Sequence, residues 1–188
     1  MSPCNALLDA FRENLITGFV NGEGIENLSN GFCQHVTFHG HLLVVTDRCT
    51  KTNPSIGYTV ISYDHINPHA NDTILWGMNY FDQYYDNSFV ARTQVLDFLR
   101  EAIVANDTDI ANIPLRGKNR LQQNLSHGFL AYEIGNNPYN LDPFHFSFAK
   151  FSIIERVYFY HIVNHGLSIR YTVYESKING GYLDSITK

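Results

Sequence analysis

Apolar residues recur at helical spacing through the first twenty positions, where Leu8, Phe11, Leu15 and Phe19 share one stripe. Ser2 is placed to cap this helix and Pro3 suits its first turn. An Asn-Gly-Glu-Gly run at 21–24 breaks it. Ile25, Leu28 and Phe32 then fall at helical spacing, which predicts a short second helix ending near Gln34. From Val36 the period changes to two. Val36–His39 and Leu42–Thr46 read as strand, as do Tyr58–Ile66 and Thr73–Phe81, each bounded by turn residues. A third helix is expected from Thr93 to Ala105, with Leu96, Leu99 and Ile103 facing inward beside Val95 and Phe98. Everything beyond reads as strand: Leu121–Ile134, Phe144–Ile154, Arg156–Val163 and Leu167–Tyr174, the last two joined by a hairpin signal at Asn164-His165-Gly166.

Helix, helix, strands, helix, then a meander predicts an α+β fold with helices packed on one face of an antiparallel sheet. No boundary divides the pattern, so 1–188 is expected to be a single domain. The 188 residues are enough to bury a core without staples. Charged residues make up only 16%, against about 25% in globular proteins, while apolar residues reach 44%. That balance excludes disorder. Twelve Tyr and thirteen Phe favour strands and an aromatic-lined cavity over a helical bundle.

The formal charge is −5, and no run of Lys and Arg exceeds two residues, so a nucleic-acid partner is not expected. No apolar run approaches the roughly 18 residues of a membrane span. The N-terminal residues turn amphipathic at once without a basic region, so a cytoplasmic chain is expected. Cys4, Cys33 and Cys49 form no disulfide framework and read as small buried hydrophobes in a reducing compartment.

The stretch from Phe19 through Gly40 resembles the helix, turn, lone helix and strand of the nuclear transport factor 2-like superfamily. That superfamily includes ketosteroid isomerase, SnoaL-type cyclases and scytalone dehydratase. The stretch His161–Glu175, with a Gly turn before an Arg-containing strand, is similar to its closing hairpin, and Phe89–Ile103 resembles its middle helix. The resemblance implies a cone-shaped curved antiparallel sheet with about three helices on its concave face, and a small-molecule pocket between them. It also makes 42–91 an insertion that many relatives lack. The ketosteroid isomerase donor and base would fall on Ile16 and Gly40, which cannot do that work, and its second acid near Val157–Phe159, where no carboxylate stands. The isomerase mechanism is therefore not expected.

Other acid–base groups are candidates for the same pocket. Histidine is the natural proton shuttle near neutral pH, and His127, His145 and His161 lie on expected late strands, with Asp64 and His65 in the insertion. His161, His127 and Asp64 are the candidate catalytic residues. Phe38, Tyr171, Ile169, Val173, Phe32 and Leu99 are the candidate ligand contacts. His35, His39 and His41 share parity on one strand, a possible zinc spacing to which His65 and His69 would add. The family register instead turns Phe38 and Gly40 inward and leaves these histidines on an outer, dimer-forming face. The leading expectation is a cofactor-independent domain that binds a small apolar or aromatic molecule, with lyase, cyclase or isomerase chemistry. The alternatives are a non-catalytic homodimeric interaction domain of the same fold and a His-ligated metal enzyme.

Overall fold

The computed structural model describes residues 3–64, 74–105, 122–136 and 150–182. The fold is α+β. Among the described residues two helices, α1 (Pro3–Leu15) and α2 (Arg92–Ala105), accompany nine strands: β1 (Ile25–Asn27), β2 (Phe32–His39), β3 (Leu43–Thr50), β4 (Ser55–Tyr63), β5 (Ile74–Tyr84), β6 (Gln122–Leu125), β7 (Gly128–Asn136), β8 (Lys150–Ile162) and β9 (Ser168–Tyr182). They are hydrogen-bonded in the order β1-β2-β3-β4-β5-β9-β8-β7-β6. No helix among the described residues is long and apolar enough to cross a membrane.

The chain divides into two compact units, one of residues 1–80 with 148–151 and 179–188, the other of 81–147 with 152–178. Along the chain, each unit reads as a helix followed by a run of strands paired in meander order.

In the first unit, α1 has two working faces. Leu7, Leu8, Phe11 and Leu15 are buried together with Val45 on β3, Ile61 on β4 and Trp76 on β5. The Phe11 and Trp76 rings meet at 5.1 Å and 57°. Each such side chain, buried rather than exposed, stabilises the fold by about 1.5–3 kcal/mol. The second face is polar. Glu13 and Asn14 on α1, with Thr17 one turn further along the chain, reach His39, Thr37 and His35 in turn along β2. Asn14 also donates to the backbone oxygen of Val45 at 3.3 Å. Helix α1 is thus held to β2 and β3 by hydrogen bonds and to β3–β5 by apolar burial.

The second expected helix does not form. Residues 25–34 make β1 and the start of β2, joined by a tight turn in which the Leu28 N–H donates to the Phe32 carbonyl at 2.8 Å. Gly31, at φ 84°, takes the left-handed conformation this turn needs. Cys33 therefore lies on a strand. The expected insertion, 42–91, supplies β3, β4 and β5. Phe38 and the histidines exchange places relative to the family register. His35 is 7% exposed and Phe38 is 64% exposed, so the odd positions of β2 face α1.

In the second unit, Val95, Phe98, Leu99, Ala102 and Ile103 of α2 form the buried stripe, while Leu96, expected to face inward with Leu99 and Ile103, is only half-buried. Just before it, the Asn87 side chain accepts from the Phe89 and Val90 N–H groups at 2.9 and 2.8 Å and sets the entry of the chain into the helix. Ile153, Glu155, Val157 and Phe159 alternate inward on β8, opposite Leu130 and Tyr132 of β7. On β9 the buried side changes parity between Val173 and Tyr174, after which Ser176 and Ile178 point in. The turn before β9 is formed by Asn164–Gly166 with Gly166 at φ 76°, as the sequence signal predicts.

Candidate functional site

A cavity of about 330 Å³ lies within the first unit, bounded by Ala6 and Leu7 of α1, the β2–β3 turn from His39 to Leu43, Tyr63 at the end of β4 and Leu75 at the start of β5. Its size suits a small organic molecule. Five of the nine lining residues are Ala or Leu, and Tyr63, His39 and His41 supply the side-chain polar atoms.

The His39 ring is fixed from outside the cavity. Its Nδ1 lies 2.5 Å from Oε2 of Glu13 on α1. A carboxylate only accepts, so Nδ1 carries the hydrogen and donates, which leaves Nε2 as the basic nitrogen of the neutral ring. A histidine oriented by a carboxylate in this way is suited to take and return a proton. Asp64, a sequence candidate, is not among the residues that line this cavity. Its N–H donates to the Leu42 carbonyl at 2.6 Å, next to lining residue Tyr63.

His35 sits apart from this pair, beneath the wide turn that follows α1. Residues Ile16–Val20 form a π-helical turn, closed by the Asn21 N–H on the Ile16 carbonyl at 2.9 Å. That turn brings Gly18 flat against the imidazole; a Cβ there would lie 2.5 Å from His35 Cδ2. Thr17 Oγ1 is 2.9 Å from Nε2 and the Gly24 carbonyl 3.3 Å from Nδ1. The carbonyl can only accept, so Nδ1 is its donor. Both ring nitrogens of His35 are engaged. Among the described residues no three His, Cys, Asp or Glu side chains form a metal-binding group, so His35, His39 and His41 do not assemble the zinc site their spacing allows.

The remaining candidates separate. In the second unit, Phe89 meets His161 at 4.5 Å, Tyr171 at 5.3 Å and Phe159 at 5.2 Å between ring centroids, so His161 and Tyr171 do share a cluster. His127 is exposed in the turn between β6 and β7, where its carbonyl accepts from the Ile162 N–H. It is not beside the His161 ring cluster's Phe89 in any ring contact described. Leu99 and Val173 are core residues, at 0% and 1% exposure. Ile169 is half-exposed and Phe38 faces solvent with Ile56 and Tyr58, so neither lines a described cavity. Phe32 begins β2 and is partly buried, away from the cavity-lining residues. His65, His69 and His145 lie outside the described residues.

Sequence reasoning missed two features. The first is the Glu13–His39 pair, whose signal is the i, i+4 stripe of polar residues on α1. The second is Glu155, fully buried on β8 with its Oε2 accepting from the Tyr132 hydroxyl at 2.6 Å. It lies two residues before Val157, on the same strand face, where the search for a carboxylate stopped short. On the opposite face of β8, Arg156 Nε donates to Glu175 at 2.8 Å, and that carboxylate holds the guanidinium above its ordinary pKa.

Comparison of the chain with protein-family models, with curated proteins and with solved structures gives no match.

Proposed function

We propose that this protein binds a small, largely apolar molecule in the cavity of its first unit, with His39 as the polar anchor. The observation that carries this reading is a 330 Å³ space walled by Ala6, Leu7, Leu42, Leu43, Tyr63 and Leu75, with His39 and His41 at one side. Apolar concavities with few, convergent polar groups are the usual form of small-molecule sites. The reaction class such a site suits is proton transfer without a cofactor, as in a lyase, cyclase or isomerase. In this reading Glu13 holds the His39 tautomer and Nε2 exchanges the proton.

The test uses 2-naphthol, whose fused ring matches the leucine wall and whose hydroxyl can meet an imidazole. Saturable shifts of the Leu42 and Leu75 methyl resonances are expected, and loss of those shifts in Ala6→Phe, which fills the cavity from α1. Absence of saturable shifts, or equal binding by Ala6→Phe, overturns the proposal. His39→Phe is expected to weaken 2-naphthol binding at least tenfold while leaving naphthalene binding within about twofold.

A further inference from the structure

Cys33 and Cys49 read in the sequence as unrelated hydrophobes 16 positions apart. The β2–β3 register sets them directly opposite one another. Their Sγ atoms are 2.9 Å apart, and Cys33 Sγ also lies 3.5 Å from the Cys49 carbonyl. Both are free thiols, and both are only partly buried, so a small reagent can reach them.

The surroundings favour chemistry between the two sulfurs over metal capture. A structural zinc site needs four ligands, and no group of three potential ligands occurs among the described residues. His35, two positions from Cys33 on the same face, has both ring nitrogens committed to Thr17 and Gly24. The backbone geometry is also right for a bond. Opposed residues of an antiparallel pair stand about 4.5–5.5 Å apart at Cα, inside the range of about 4.4–6.8 Å that disulfides span. Bringing the sulfurs to bonding distance requires a shift of roughly 0.9 Å.

We propose that Cys33 and Cys49 form a reversible dithiol–disulfide site whose co-substrate is a low-molecular-weight disulfide. The Cys33 thiolate attacks one sulfur of the small disulfide RSSR, forming a Cys33–SR mixed disulfide and releasing RS⁻. Cys49 then gives its proton to solvent and attacks the Cys33 sulfur, expelling the second RS⁻ and closing the Cys33–Cys49 bond. In sum, two protein thiols and RSSR become one protein disulfide and two RSH. The protein is oxidised by two electrons and RSSR is reduced by two.

The order of attack follows from the environment of Cys49. Burial first, then the hydrogen bond that the Cys49 thiol donates to Cys33 and the nearby Asp47 carboxylate, push it up to about 12. The Tyr80 hydroxyl on β5 acts in the opposite sense, and the facing residue on β4, Gly57, carries no charge. Burial and the Asp47 carboxylate persist after Cys33 has reacted and hold Cys49 in its thiol form, which suits it to the second, resolving step. Only thiolates attack disulfides, so closure is the slow step and accelerates as pH rises.

The experiment incubates the reduced full chain, carrying Cys4→Ser, with oxidised glutathione, quenches with iodoacetamide and maps the peptides by mass spectrometry. The expected product joins the Cys33 and Cys49 peptides, is reopened by dithiothreitol, and forms about tenfold faster at pH 9 than at pH 8. Cys49→Ser is expected to accumulate glutathione on Cys33, whereas Cys33→Ser leaves Cys49 at least tenfold slower to be modified. Full alkylation of both cysteines at the oxidation plateau overturns the proposal. So does stable glutathione on both residues without the cross-linked peptide. Cys49 reacting first in Cys33→Ser at the rate seen for Cys33 overturns the order of attack.

Discussion

Gly57 offers a sharp test of how β4 and β5 are packed in the first unit. A Cβ at this position would overlap the Tyr80 ring, lying within 2.5 Å of Cε2 and of the hydroxyl oxygen. The ring cannot slide freely, because its hydroxyl donates to Asp47 Oδ1 at 2.9 Å, an oxygen that also receives Thr59 at 2.7 Å. Gly57→Ala must therefore displace Tyr80 and cost the hydrogen bond to the carboxylate, about 1.5–3 kcal/mol. Against this stands about 0.4–1 kcal/mol gained from the less flexible unfolded chain. The net expectation is a loss of about 1–2 kcal/mol, or about 3–6 °C in midpoint for a chain of this size. In a Tyr80→Ala background the obstruction is gone, and the same substitution becomes stabilising by about 0.4–1 kcal/mol. Trp76 is the single tryptophan and is fully buried in the same unit, so its fluorescence in urea follows that unit alone. A neutral or stabilising Gly57→Ala in the parent chain, or no change of sign with Tyr80→Ala, refutes the reasoning.

Two further outcomes follow from buried polar groups. Tyr132→Phe removes the hydroxyl donor of the fully buried Glu155 and is expected to cost about 1.5–3 kcal/mol, read as faster amide exchange along β7 and β8. The Cys49 thiol, raised in the fold from its ordinary 9.0 to about 12, keeps its proton where the unfolded chain has lost it. Its contribution is complete below pH 9 and is lost as pH rises toward 12. Under reducing conditions the parent chain is therefore expected to lose more stability between pH 9 and 11 than Cys49→Ser does, in urea melts followed by Trp76. Parallel losses in both proteins would contradict the assignment.

Helices α1 and α2 were legible because their apolar residues recur at i, i+3, i+4 and i+7. Of the later strands, the β8–β9 hairpin was legible from Asn164-His165-Gly166, whereas the expected strand Leu121–Ile134 divides into β6 and β7 and the expected break at Glu155 lies inside the continuous β8. The second expected helix failed for a local reason. Ile25, Leu28 and Phe32 satisfy helical spacing, yet Asn30-Gly31 between them is the stronger signal, a tight turn. The inward face of β2 failed for a different reason. Its even positions, Phe32, Gln34, Val36 and Phe38, are more apolar than its odd ones, Cys33, His35, Thr37 and His39. Hydrophobicity alone therefore points to the wrong side, and a slip of one residue reverses every side chain. The strand instead turns its polar side to α1, where Glu13, Asn14 and Thr17 meet it. Glu13 and Thr17, four residues apart, mark the polar side of the helix in the sequence, but nothing there marks which face of β2 they meet. The cavity is assembled from positions 6 to 75, and none of the expected contacts, from Phe32 and Phe38 to Leu99, Ile169, Tyr171 and Val173, lines it.

The wide turn at Ile16–Val20 ties the helix register to the strand beneath it. A π-helical turn closes over one residue more than an α-helical turn does. Deleting that residue would rotate the following positions by about 100° and swing Gly18 off the imidazole it covers. A residue with a side chain brought to that point would meet a ring that already lies 2.5 Å from where a Cβ would stand. The length of this one turn is therefore what leaves room for His35 to reach both Thr17 and Gly24.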